Sequence, residues 1–287
     1  MGAQAAALLD AGGPVGEVPA GAAYDGCLAL ARPPGYELSR TARLHGGVGL
    51  APTAWDGTRL HLRLPDPVVV DAALVAHWRG SPPDPAVLRR VLALDDDLGE
   101  LWAACDRVPG LRWVRPAGVG RVLRSATVWQ DLVGVLAGTR ASYRSTQAMV
   151  GALVGDGPFP GPRQVLGADL SRWGYRAPWL RALAGQVAAG WDPEGLDDPA
   201  LPDDEVLRRV RALAGFGPFA AAQMVPLLGR PRPPVLDGWL REALGGAGDE
   251  EVGARFAVMG RWAGTGAWLT AVADRLRPPA GGPPGRA

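Results

Sequence analysis

Asp203-Asp204-Glu205-Val206-Leu207-Arg208-Arg209-Val210-Arg211-Ala212-Leu213-Ala214-Gly215-Phe216-Gly217-Pro218-Phe219-Ala220-Ala221-Ala222-Gln223-Met224-Val225 reads as two helices and the turn between them. Three acids in the first turn suit the positive end of a helix. Val206, Val210 and Leu213 give that helix its buried face, with Leu207 and Ala214 beside them. Gly215-Phe216-Gly217 then breaks it, and Pro218 fits the first position of the next helix. The glycines permit unusual dihedrals and close backbone approach. The whole is a helix-hairpin-helix. Amides at the start of its second helix can take a phosphate oxygen without reading base sequence. Downstream, Pro233-Pro234-Val235-Leu236-Asp237-Gly238-Trp239-Leu240-Arg241 places one acid between an apolar pair and a helix start. A single Gly-x-Gly turn is an ordinary helix connection, and an acid before a helix is an ordinary N-cap. The pairing of the two carries the argument.

The flanks set the architecture. Residues 1–22 and 278–287 are rich in Gly, Ala and Pro without periodicity and read as disordered tails. Residues 23–82 read as a small antiparallel β domain. Arg59-Leu60-His61-Leu62-Arg63-Leu64 alternates polar and apolar, and Cys27-Leu28-Ala29-Leu30, Val68-Val69-Val70 and Ala73-Leu74-Val75 lean to strand. Glu37 to His45 suits a short helix, and His61 an outward strand position without an acidic partner at ligand spacing. Residues 83–277 are helical in pattern, with segments near 126–137, 142–153, 176–188, 203–214, 218–228, 238–244 and 250–276. The expected class is α+β: an antiparallel β N-terminal domain, then a mainly α-helical core with the hairpin at 203–229.

Composition excludes several chemistries. All 30 basic side chains among the 287 residues are arginine. Without lysine there is no side-chain Schiff base, no P-loop lysine and no lysine general base. Cys27 and Cys105 are too few for a four-thiolate zinc site or an iron–sulfur cluster, and His45, His61 and His77 all lie in the first third. No side-chain metal site is expected. No apolar run approaches the ~18 residues of a membrane span, and the N-terminus does not read as a signal peptide, so the cytoplasm is expected. The net charge of +1 hides an uneven distribution: residues 111–191 hold ten arginines against three acids, and 207–245 six against two. Residues 192–206 hold seven acids and no base. Basic stretches of this kind suit either a solvated helical surface or a phosphate-facing patch.

The hairpin followed by Asp237 resembles the helix-hairpin-helix superfamily of DNA base-excision glycosylases. In that superfamily a Leu-x-Gly-φ-Gly hairpin (φ apolar) precedes a catalytic Asp in a Val-Asp or Leu-Asp-Gly context. Gly120-Arg121-Val122-Leu123-Arg124-Ser125-Ala126-Thr127-Val128-Trp129-Gln130-Asp131-Leu132-Val133 resembles the segment opening the family's core. Gly174-Tyr175-Arg176-Ala177-Pro178-Trp179-Leu180 resembles a second family stretch. Arg43-Leu44-His45-Gly46 and Trp55-Asp56 fit the N-terminal β unit of the alkylpurine and 8-oxoguanine glycosylase branch. The likeness covers about residues 24–276.

The resemblance implies a catalytic Asp237 and a phosphate-binding hairpin at Gly215, Phe216 and Gly217. Arg121, Arg124, Arg144 and Arg176 become candidate phosphate contacts. Arg140, in the loop Thr139-Arg140-Ala141-Ser142-Tyr143-Arg144, stands where relatives carry a wedge of Leu, Gln or Asn; a phosphate contact is equally open to it. Trp129, Tyr143, Tyr175, Phe219 and Trp239 are candidates for a base pocket, although aromatics on helices are more often core. Phe219 occupies the place of the lysine used by lyase-competent relatives. The expected activity is therefore monofunctional hydrolysis of a damaged base, an alkylated purine first and oxidised guanine second. A non-catalytic DNA-binding protein and a helix-hairpin-helix scaffold for a protein partner are the rival readings. The expected partner is duplex DNA with a damaged base, met by a monomeric chain away from membranes. No cofactor is expected, except that the resemblance implies a monovalent cation on main-chain oxygens of the hairpin.

Overall fold

The computed structural model describes residues 24–43, 53–236 and 238–276; the side chains of Arg43, Thr53, Tyr143 and Arg275 are outside that description. Both expected tails, the Leu44-His45-Gly46 match and Asp237 therefore lie outside the described residues.

The N-terminal unit is a five-stranded antiparallel sheet among the described residues. Its strands are β1 (Gly26–Ala29), β2 (Thr53–Trp55), β3 (Leu60–Arg63), β4 (Pro67–Val70) and β5 (Val75–Trp78), in the order β1-β5-β4-β3-β2. The register sets Leu60 opposite Val70 and Leu62 opposite Val68, so the alternating apolar residues fall on one face. That face packs on Tyr36, on Leu38 of α1 (Leu38–Arg43) and on Leu88 and Val91 of α2 (Pro85–Val91). One expectation shifts. Ala73 and Leu74 form a turn rather than a strand, because the Asp71 carboxylate accepts from the amides of Ala73 and Val75 and Leu74 sits at φ 61°. His61 is half-buried and does have an acidic partner: its Nε2 lies 2.8 Å from Asp56 Oδ2.

The helical part holds two further cores. The first gathers α4 (Val128–Gly138), α5 (Tyr143–Val154), α6 (Pro162–Leu166), α7 (Ala177–Ala188), α8 (Asp203–Arg211) and α9 (Pro218–Met224) around Leu132, Leu136, Trp173, Leu180, Val210 and Phe216. The second gathers α3 (Gly99–Asp106), α10 (Gly238–Ala243), α11 (Asp249–Phe256), α12 (Ala263–Ala271) and α13 (Ala273–Leu276) around Leu101, Leu111, Phe256 and Leu269. The segment expected as one helix at 250–276 is divided, because Gly260 adopts φ 58° inside a 3-10 stretch, 257–262. A chain in the left-handed region there cannot continue an α-helix.

Three cores meet along residues 120–126. Val122 touches both helical cores, and Leu123 belongs to the core under the sheet. Several polar groups of this segment find internal partners, while Arg121 Nε and Nη1 and Arg124 Nε are buried without one. Arg124 places one guanidinium nitrogen 2.6 Å from both oxygens of Asp96, and its amide donates to Val91 O. The Ser125 amide donates to Asp131, which is 1% exposed and pairs with Arg90 at 3.0 Å. Burial pushes the Asp131 carboxyl above its ordinary range, with Arg90 and the Ser125 bonds pulling the other way.

The acid run at 192–205 also serves the fold. Glu194 accepts from the amides of Val128 and Trp129 at the start of α4, where a carboxylate suits the helix dipole. Asp197 faces Arg90 at 3.4 Å, and Asp203 pairs with Arg230 and Arg261. No described helix is long and apolar enough to cross a membrane.

Removing Asp131 takes the acceptor from the buried Ser125 amide and leaves Arg90 with Asp197 as its remaining carboxylate. Asp131→Ala is therefore expected to lower stability by about 1–3 kcal/mol, read as a shift in the urea midpoint with an unchanged slope.

Candidate active site at the seam of the helical cores

The hairpin closes as its sequence demands. Gly215 takes φ 85°, and a Cβ there would lie 2.7 Å from both Leu136 and Trp179 side chains. The Phe216 amide returns to Leu213 O at 3.1 Å, and its ring is 2% exposed in the first core. Any outward contact by Phe216 is thus made by its main chain. Gly217, exposed, precedes α9 with extended geometry, and a Cβ there meets nothing.

A chain of contacts joins the hairpin to the loop at 139–142. Gly215 lies against Trp179, whose ring meets that of Tyr175 edge-on at 5.4 Å. The Tyr175 hydroxyl donates to Thr139 O at 3.1 Å. Arg176 donates to the same carbonyl through Nε at 2.9 Å and through Nη2, while stacking 4.3 Å from the Tyr175 ring. Beside this clasped carbonyl, Arg140 is exposed and sits at φ 49°, a left-handed conformation unusual for a non-glycine. Arg144, in the first turn of the next helix, is exposed as well.

Several sequence expectations change. Arg121, Arg124 and Arg176 are 4%, 7% and 7% exposed, and each turns its guanidinium to internal partners. Arg121 donates to Asp96 O and lies 5.5 Å from the Tyr36 ring; burial holds its pKa below the usual arginine value. Buried this way, the three arginines support the scaffold and do not offer themselves to phosphate. Trp129 is likewise part of the first core, with Nε1 donating to Pro160 O at 3.0 Å, and lines no base pocket. Tyr175 stays half-exposed beside the loop, and Trp239 is half-buried against the second core. The Tyr143 side chain lies outside the described residues. Arg211, in the last turn of α8, is an exposed cation next to the hairpin that the sequence reading passed over.

Between the two helical cores runs the segment 230–236. Arg230 fastens one end, donating to Leu201 O, Asp198 O and Asp203. The Arg232 amide donates to Thr265 Oγ1 at 3.0 Å, and its guanidinium lies 5.1 Å from the Trp268 ring. Gly264 has no Cβ where one would stand 2.3 Å from Arg232 O, so α12 and the segment meet backbone to backbone. Leu236 packs on the second core, and α10 begins at Gly238 and buries Leu240. Asp237, between these two fixed points, is outside the described residues.

Across the segment, Phe219, Gln223 and Pro226 follow at helical spacing as the half-buried residues of an otherwise buried run. Arg232 reaches over to donate to Gln223 Oε1 at 3.1 Å. Pro226 and Arg232, with Thr265, Trp262 and Trp268, border a small cavity of about 40 Å³. Sequence reasoning missed Gln223, Arg232 and Trp268. The spacing of Gln223 one turn past Phe219 was the available signal.

No family model matches the chain, and no curated protein does. Solved structures match over nearly its whole length. The 3-methyladenine DNA glycosylase of Archaeoglobus fulgidus superposes with a TM-score of 0.64 at 16% identity, over 88% of this chain and 98% of that one. The apo 8-oxoguanine glycosylase/lyase of Clostridium acetobutylicum gives 0.66 at 16%, over 86% and 99%. The same enzyme with duplex DNA containing cytosine opposite 8-oxoguanine gives 0.65 at 15%, over 88% and 98%. The chain has the helix-hairpin-helix glycosylase fold. At these identities the likeness concerns the course of the backbone, with few side chains shared.

The two hairpin glycines are expected to differ sharply. Gly215→Ala meets both strain and collision and should cost on the order of 2–4 kcal/mol. Gly217→Ala should stay within about 0.5 kcal/mol of wild type. Thermal unfolding of the two variants side by side checks the contrast.

Proposed function

We propose that the chain is a monofunctional DNA N-glycosylase that removes a damaged base from duplex DNA by hydrolysis. The observation that carries this reading is the clamped segment 230–236, which leads from the hairpin to Asp237 along the seam of the cores. Its fold is the one adopted by solved DNA glycosylases.

The chemistry suits a single acid. Breaking the bond between sugar C1′ and the base nitrogen leaves positive charge on the sugar, and the electron pair departs with the base. The Asp237 carboxylate stabilises that charge and takes a proton from the water whose oxygen bonds to C1′. The base must first leave the helical stack to reach it. Gly215 and Gly217 bring hairpin backbone amides to phosphate, and Arg140, Arg144 and Arg211 add exposed positive charge around them. Arg140 is the candidate for the gap left in the stack, and Phe219 for the face on which the base rests. An alkylated purine is the first substrate class, because Phe219 stands where a lyase would need an amine. Oxidised guanine is the second, favoured by the likeness to the glycosylase/lyase of Clostridium acetobutylicum.

A monovalent cation at the hairpin would depend on main-chain oxygens alone. Residues 212–219 carry no side-chain oxygen, and Leu213 O already accepts from Phe216. The turn therefore fits such an ion only through the carbonyls that remain.

Asp237→Asn is expected to slow base release from alkylated or 8-oxoguanine duplexes by roughly 10²–10⁴-fold while duplex binding persists. Borohydride should trap no lysine adduct with any variant, and the abasic strand should stay uncut. Base release by Asp237→Asn at the wild-type rate would refute the catalytic assignment. Duplex binding by the wild type with no base release would favour a binding protein without catalysis.

A further inference from the structure

Gln223 is the one amide on the half-buried face of α9, one turn beyond Phe219. Which end of that amide faces inward is fixed by chemistry. Arg232 carries donors only, so the atom it meets at 3.1 Å must be the amide oxygen. Arg232 is itself held by Thr265 and by the Trp268 ring, and it is 7% exposed. The amide therefore cannot turn over without stranding a guanidinium hydrogen against another donor. Its two N–H donors are left for something else, and among the described residues Gln223 makes no other hydrogen bond.

A base resting on Phe219 would meet those donors edge-on. Donors recognise acceptors: a carbonyl oxygen on the purine edge completes the pair, whereas an exocyclic amine sets donor against donor. Resting on the glycosylase reading above, we infer that Gln223 is a specificity-determining residue that selects bases with a carbonyl at that edge. These are guanine-derived lesions, alkylated or oxidised, in preference to adenine-derived ones.

Duplex DNA treated with dimethyl sulfate carries 7-methylguanine, which has the carbonyl, and 3-methyladenine, which has the amine. Both bases can be quantified by chromatography from a single digest, so the readout is a ratio that partial loss of activity does not move. A duplex with 8-oxoguanine at one position gives a second carbonyl-bearing base. The wild-type chain is expected to favour 7-methylguanine over 3-methyladenine relative to their content, and to release 8-oxoguanine. Gln223→Glu keeps the shape and the contact to Arg232 but presents acceptors only. It should shift the ratio toward 3-methyladenine by roughly tenfold to a hundredfold. Gln223→Leu should abolish the preference without reversing it. Both variants should bind a duplex with an abasic-site analogue as the wild type does, since that ligand has no base to read. A wild-type preference for 3-methyladenine, or a ratio unmoved by either variant, overturns the inference and leaves the glycosylase reading standing. Release of no base by the wild type overturns both.

Discussion

The pairing of Arg124 with Asp96 holds together parts that would otherwise be separate. It sits on the 120–126 segment, where the core beneath the sheet and both helical cores converge. Burying an arginine is unfavourable unless its charge and its donors are met. Asp96 meets the charge from the loop after α2, through one guanidinium nitrogen, and so helps to set where the segment lies between its neighbours. Arg90 and Asp131 repeat the solution a few residues on. Gly229 is drawn into the same junction, since a Cβ there would stand 2.7 Å from an Arg124 nitrogen. The hairpin's exit is thereby tied to the β unit through ionic contacts and close approach rather than through apolar packing.

From that junction the site is built by subtraction of side chains. Gly215 admits Trp179, and Gly264 admits the backbone of Arg232 and Pro233. Each missing Cβ lets one element approach another more closely than ordinary helix packing allows. The outcome is a hairpin, a loop and a connecting segment whose positions depend on one another. The acids of 192–205 complete the frame by capping α4 and by anchoring Arg230.

The helices and most strands were legible in the sequence because apolar spacing reports which face is buried. The hairpin was legible because Gly215 has no ready substitute at a turn with φ 85°. The limits were equally physical. The turn at Asp71 depends on a side chain bonding its own backbone, which strand propensity does not register. Charge counting located the arginines of 111–191 but not their direction. Arg121, Arg124 and Arg176 point inward because partners distant in sequence await them: Asp96 for the first two, Thr139 for the third. For the same reason Trp129 reads as a pocket residue in one dimension and is core in three. Gln223 was overlooked since its spacing from Phe219 says nothing of the arginine across the seam that orients its amide.

The clasp on the Thr139 carbonyl has a thermodynamic side. A loop with a bulky residue in the left-handed region would ordinarily sample many conformations in solution and lose that freedom when a ligand arrived. Here Tyr175 and Arg176 hold the peptide just before Arg140 in the isolated chain. The entropy of ordering the loop is surrendered during folding, and a ligand that meets the Arg140 side chain finds a surface already shaped. Loosening the clasp would then reduce affinity through entropy, with every atom that touches the ligand still in place.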